Sequence, residues 1–70
     1  MIESPEDFRK FPNGSIFARA DGSLWKIRKK MYDLLFTPVG GGRKPMSPEG
    51  FLQLGPARFV SYPADYEESQ

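Results

Sequence analysis

Ser15-Ile16-Phe17-Ala18-Arg19-Ala20-Asp21-Gly22-Ser23-Leu24-Trp25-Lys26-Ile27-Arg28-Lys29 is the stretch whose reading decides the fold. Asp21-Gly22 suits a two-residue type I′ turn, because both central positions need φ > 0 and these two residues tolerate it. Closing the hairpin there predicts a register in which Ala18 faces Trp25, Phe17 faces Lys26 and Ile16 faces Ile27. Opposed residues share a face of the ribbon, and the face alternates along each strand. One face is then expected to carry Ile16, Ala18, Ala20, Trp25 and Ile27 as core, with small Ala18 opposite large Trp25. The other is expected to carry Phe17, Arg19, Leu24, Lys26 and Arg28, a basic surface with two apolar anchors. A two-stranded hairpin is marginal alone, so further elements must cover Trp25.

Those elements are legible outward from the hairpin. Ser4-Pro5-Glu6-Asp7 is a helix start: a capping serine, a proline suited to the first helical position and acids at the positive end. Phe8 and Phe11 would share one side of that helix, and Pro12-Asn13-Gly14 stops it. After the hairpin, Lys29 to Asp33 reads as a second turn, and Leu34-Leu35-Phe36-Thr37 as a third strand ended by Pro38. Residues 26–36 contain no breaker, so a helix competes there; the β-rich surroundings and the apolar run after Asp33 favour the strand. Val39 to Pro45 is a loop, since three consecutive glycines disfavour regular structure. Its Gly-Gly-Gly-Arg-Lys has the ingredients of a phosphate-cradling loop but lacks the spacing and the strand–helix setting of that motif. Ser47-Pro48-Glu49 starts a second short helix that carries Phe51 and ends at Gly55-Pro56. Ala57 to Tyr62 reads as a fourth strand, with Phe59 and Ser61 facing one way and Arg58, Val60 and Tyr62 the other. The expected architecture is mainly β (α+β): a small SH3-like or partly open antiparallel barrel of about four strands with two short helices. It occupies residues 1–62 as one domain, followed by an acidic, frayed tail over 63–70.

Composition narrows the chemistry. The 70 residues include no Cys and no His, which removes a disulfide framework, thiolate metal sites and the usual general base. No apolar run approaches the ~18 residues of a membrane span, and the acidic start Met1-Ile2-Glu3 is unlike a signal peptide. A soluble, cytoplasmic protein is expected. Net charge is +1, but all ten basic residues lie between Arg9 and Arg58, where only Asp21, Asp33 and Glu49 oppose them. A basic middle between acidic ends suits an anionic partner, or ends that fold back on the middle. Ser15, Ser23, Ser47 and Ser61 have no histidine to activate them, Asp21 is explained by its turn, and Glu6 and Glu49 by helix starts. No catalytic residue, cofactor or metal site is expected.

Ser4-Pro5-Glu6-Asp7-Phe8, Pro12-Asn13-Gly14-Ser15, Asp21-Gly22-Ser23-Leu24-Trp25 and Leu54-Gly55-Pro56 follow one another in a layout that resembles a group of small uncharacterised proteins of actinobacteria and their phages. The resemblance spans residues 4–62. This chain departs from it where a second Trp is common, carrying Tyr32 or Phe36 instead. The group implies an origin and a compact β fold, and no mechanism.

The function expected on these grounds is protein–protein interaction without catalysis, and the resemblance suggests a phage-encoded factor that binds a host protein. Phe17, Arg19, Leu24, Lys26 and Arg28 are the expected contact residues, extended by Lys29, Lys30, Arg43 and Lys44 in neighbouring loops. Nucleic-acid binding through the same basic hairpin face is the alternative, since aromatics among cations suit single strands. A structural component of a virion is a third reading.

Overall fold

In the computed structural model, which describes residues 1–64, four strands form one antiparallel sheet. They are β1 (Ile16–Ala18), β2 (Leu24–Lys30), β3 (Asp33–Pro38) and β4 (Arg58–Ser61). Their order across the sheet is β3-β2-β1-β4. Three strands thus meander, and the fourth returns through a long connection to lie beside the first, the Greek-key arrangement. Two short helical segments complete the fold: a 3-10 helix over Pro5–Lys10, and α1 (Pro48–Phe51) running directly into a 3-10 turn over Leu52–Leu54. The fold is therefore mainly β, a small, partly open barrel-like sheet with two helical segments. Of the tail expected over 63–70, residues 65–70 lie outside the described residues.

The third strand forms where the apolar run predicted it, and β2 and β3 pair from Lys30↔Asp33 to Trp25↔Pro38, so residues 26–36 are strand-turn-strand rather than helix. The turn between them is the two residues Met31-Tyr32, and Met31 takes φ 57°. Positive φ at the first central position is where glycine is favoured in a II′ turn; here a methionine supplies it.

The first hairpin closes one residue differently from the two-residue expectation. The observed partners are Ile16↔Lys26, Phe17↔Trp25 and Ala18↔Leu24. Gly22 N–H donates to the Arg19 carbonyl at 2.8 Å, and Arg19 N–H donates to the Ser23 carbonyl at 2.8 Å. The loop is thus Ala20-Asp21-Gly22, a β-turn followed by Gly22 at φ 92°, the three-residue hairpin with a glycine bulge. A slip of one residue exchanges the faces of one strand relative to the other. Phe17 therefore lies inside with Trp25 and Ile27, all fully buried, while Ile16 and Ala18 turn to the opposite face beside Lys26 and Leu24. The physical reason is volume: turning Phe17 inward removes a large aromatic from water, at the cost of moving only an isoleucine and an alanine outward.

All six phenylalanines and Trp25 converge on that inner face. Phe8 is fully buried at the hub, its ring edge-on to Phe17 (5.1 Å between centroids), Phe36 (4.7 Å) and Phe51 (5.8 Å). Phe36 and Phe51 stack at 3.8 Å with planes 7° apart. Phe11 and Phe59 stack at 5.0 Å along the β1–β4 side. Each helical segment therefore contributes one buried ring, Phe8 or Phe51, and the sheet supplies the rest. Single backbone bridges, Ile2↔Ala57 and Phe36↔Met46, add to the two ends of the sheet. One occupies part of edge strand β3 and the other the residue just before β4, which limits pairing with foreign strands there.

Candidate interaction face

The helical segments cover one face of the sheet, and among the described residues no helix covers the other. Alternation along β2 puts Trp25 and Ile27 inside and Leu24, Lys26, Arg28 and Lys30 outside. A rise of about 3.3–3.4 Å per residue spaces the three cations roughly 7 Å apart along a straight row. β3 adds Thr37 opposite Lys26, Leu35 opposite Arg28 and Asp33 opposite Lys30. On the other side, Ile16 neighbours Lys26, and Arg58 of β4 neighbours Ala18. Leu24 and Leu35 remain 42% and 43% exposed between these cations. Four bases, Lys26, Arg28, Lys30 and Arg58, thus share the described outer face with one acid, Asp33. A shallow groove of about 500 Å³ runs across it, lined by Arg28, Lys30, Leu35, Thr37 and Pro45 among others. A β-bulge between β1 and β4, where Ile16 pairs with Ser61 but Phe17 with Phe59, adds local twist at the β4 side.

Of the residues expected to make contact, Leu24, Lys26, Arg28 and Lys30 come together on this face. Phe17 and Arg19 do not. Phe17 is a core ring. Arg19 lies on the inner side of the hairpin and donates from Nε to the Phe51 carbonyl (3.2 Å) and from Nη2 to the Gly50 carbonyl (2.9 Å). It thereby adds side-chain donors to carbonyls at the end of α1, where the Gly50 carbonyl also accepts from the Leu52 N–H. Both corrections follow from the same one-residue shift. Lys29 also points inward, its Nζ donating to the Arg9 carbonyl at 3.0 Å and its backbone N–H to Asn13 Oδ1 at 2.8 Å. Lys44 is exposed in the loop before Met46. Arg58 and Leu35 belong to the face but were not singled out; the signal that could have found them is the alternation of β3 and β4 once their pairing partners are known.

Arg43 has a different place. Its Nη1 is 4.0 Å from Asp21, and its guanidinium lies 6.0 Å from the centroid of the Trp25 ring, at the outer reach of a cation–π contact. Below it runs a chain of hydrogen bonds: Trp25 Nε1–H donates to Ser23 Oγ (2.8 Å), and the Ser23 hydroxyl donates to Asp21 Oδ1 (2.5 Å). Ser23 N–H also donates to Asp21 Oδ1 at 3.0 Å. The Ser23 hydroxyl and then its backbone N–H hold the Asp21 carboxyl below its usual range, against an opposing effect of desolvation; Arg19 and Arg43 assist to a lesser degree. The Asp-Gly-Ser-x-Trp stretch is thus one unit in which the turn satisfies the indole of the buried tryptophan.

Three of the serines are committed to structure. Ser15 is fully buried and donates to the Pro12 carbonyl at 2.8 Å, Ser23 is in the tryptophan chain, and Ser47 accepts from Gly50 N–H as the cap of α1. Among the described residues no group of three or more Asp, Glu, His or Cys is placed to hold a metal ion, and no helix is long and apolar enough to cross a membrane. Comparison with protein-family models, with curated proteins and with solved structures finds no match to this chain.

Proposed function

We propose that this chain is a non-catalytic interaction module whose open sheet face docks an acidic segment of a protein partner. The observation that carries the reading is the pairing of Leu24 and Leu35, each more than two-fifths exposed, with a row of cations at two-residue spacing. Apolar anchors within a basic rim suit a partner surface of apolar residues flanked by Asp or Glu, since complementary charge steers encounter and the anchors slow release. Burial of Phe17 bears on the choice between readings. Single-stranded nucleic acid is held by aromatic platforms among cations, and the described outer strands β2 and β3 present leucines there instead. In the setting its resemblance implies, the module is a phage-encoded factor working in the host cytoplasm on a host protein.

The test is capture from nuclease-treated host lysate by wild-type protein and by a Leu24→Ser/Arg28→Glu variant. Both side chains are exposed, so the variant is expected to keep its thermal midpoint. A stoichiometric protein partner held by wild type and lost by the folded variant is the expected result. Equal capture by both moves the site elsewhere. Binding to single-stranded DNA with a steep salt slope, and to no protein, would make the same face a nucleic-acid surface.

A further inference from the structure

The tip of the β2–β3 hairpin is built in an unusual way. Met31 and Tyr32 are 90% and 88% exposed, although both are large and partly apolar. Met31 is the one non-glycine described residue with positive φ, a conformation that costs an L-residue roughly 1–2 kcal/mol. The tip is nonetheless held in place: Arg9 Nη2 donates to the Tyr32 carbonyl at 3.1 Å, and Lys29 Nζ returns to the Arg9 carbonyl at 3.0 Å. A fixed turn thus presents two anchors to solvent.

Immediately beside it is a cleft of about 490 Å³, one of whose walls is Tyr32 itself. Its apolar lining includes Pro5, Leu34 and Pro48, and three carboxylates, Glu6, Asp33 and Glu49, stand around it against one cation, Arg9. Among the described residues none of these three carboxylates makes an ion pair or a side-chain hydrogen bond. The tip carries the opposite charge in the exposed Lys30, directly before Met31.

We infer that the chain pairs with a second copy of itself, each copy seating its Met31-Tyr32 tip in the cleft beside the other's tip. A protrusion adjacent to a concavity is what a two-fold axis needs, because one rotation places each protrusion in the other's concavity. Apolar anchors then meet apolar walls, and Lys30 of the tip meets the cleft carboxylates. The cleft volume falls in the range of about 300–1,000 Å³ that takes ligand-sized groups. A net charge of +1 offers little long-range repulsion between copies. Leu24 and Arg28, the residues whose substitution tests the open face, do not line this cleft, so failure of the pairing and failure of the proposed function are separate results.

The experiment is sedimentation velocity and equilibrium across a wide concentration range, on wild type, Tyr32→Ser and Glu49→Lys. Tyr32 and Glu49 are exposed, and the Tyr32 carbonyl that Arg9 uses belongs to the backbone, so unchanged thermal midpoints extrapolated to low concentration will show that each monomer folds. Wild type is expected to show a reversible monomer–dimer equilibrium. Tyr32→Ser should raise its dissociation constant about 30-fold or more, as loss of an interface anchor does. Glu49→Lys should weaken it less, and should reduce its dependence on salt. Wild type that stays monomeric to about millimolar concentration, weaker than the affinities expected of a specific contact, overturns the inference. So does a dimer that Tyr32→Ser leaves unchanged.

Discussion

Met31 and Ser23 show what single residues do in this fold. Met31 keeps a left-handed backbone with its side chain in solvent, so a residue that tolerates φ > 0 should relieve strain without losing packing. Met31→Asn is expected to stabilise the monomer by about 1 kcal/mol, which for a chain this short raises the thermal midpoint by roughly 4–8 °C; calorimetry at low concentration checks it. Ser23→Ala removes the acceptor of the buried Trp25 indole. A buried donor left unsatisfied costs about 1–3 kcal/mol, and the denaturant midpoint should fall accordingly. Asp21 gives this region a pH dependence. Its folded pKa lies below the unfolded value of about 3.9. It therefore contributes stability that is fully present above that value and is lost as pH falls through the lower, folded pKa. The gap in midpoint between wild type and Asp21→Asn should be constant near neutrality and should narrow only in the acid range. A gap that closes between pH 6 and 8 would contradict the assignment.

At the scale of elements, the first hairpin separates what could be read from what could not. Asp21-Gly22 marks the turn, and Gly22 takes the positive φ expected of it. The number of loop residues was not visible in the dipeptide, because Ala20 fits either as the last strand residue or as the first loop residue. Only the tertiary demand to bury Phe17 against Phe8 and Phe59 decides it. The consequences for the site were large: Leu24, Lys26 and Arg28 were legible because β2 alternates strictly, whereas Phe17 and Arg19 depended on register and were displaced. Helix starts at Pro5 and Pro48 were legible from capping chemistry, but their lengths were not. The first is a 3-10 helix of six residues whose Ser4 makes no side-chain cap, the second an α-turn that Ser47 does cap. The hub role of Phe8 makes a prediction for these elements. Phe8→Ala should cost about 3–5 kcal/mol, the range for a truncated buried aromatic, which is comparable to the whole stability of so small a core. A far-UV spectrum and thermal melt should show a largely unfolded chain. Arg19→Ala should be milder, of the order of 1.5–3 kcal/mol for two charged hydrogen bonds to carbonyls, with the loss centred on α1.

The whole molecule divides its labour between the two faces of one sheet. Seven aromatic rings and two helical segments are used on the inner face, and among the described residues the outer face leaves Leu24, Leu35 and its row of cations exposed and available for contact. Everything in that division depends on the register of β1 against β2, which therefore offers the most direct test. In an antiparallel pair the non-hydrogen-bonded partners approach to about 4.5 Å between Cα atoms, close enough for strong Hα–Hα cross-peaks in a two-dimensional NMR spectrum. Arg19 and Ser23 exchange a hydrogen bond, as do Ser15 and Ile27, so the close pairs in this fold are Ala18 with Leu24 and Ile16 with Lys26. Hα–Hα cross-peaks for those two pairs are the predicted result. Cross-peaks joining Arg19 to Leu24 and Phe17 to Lys26 would place Phe17 among the cations and contradict the account.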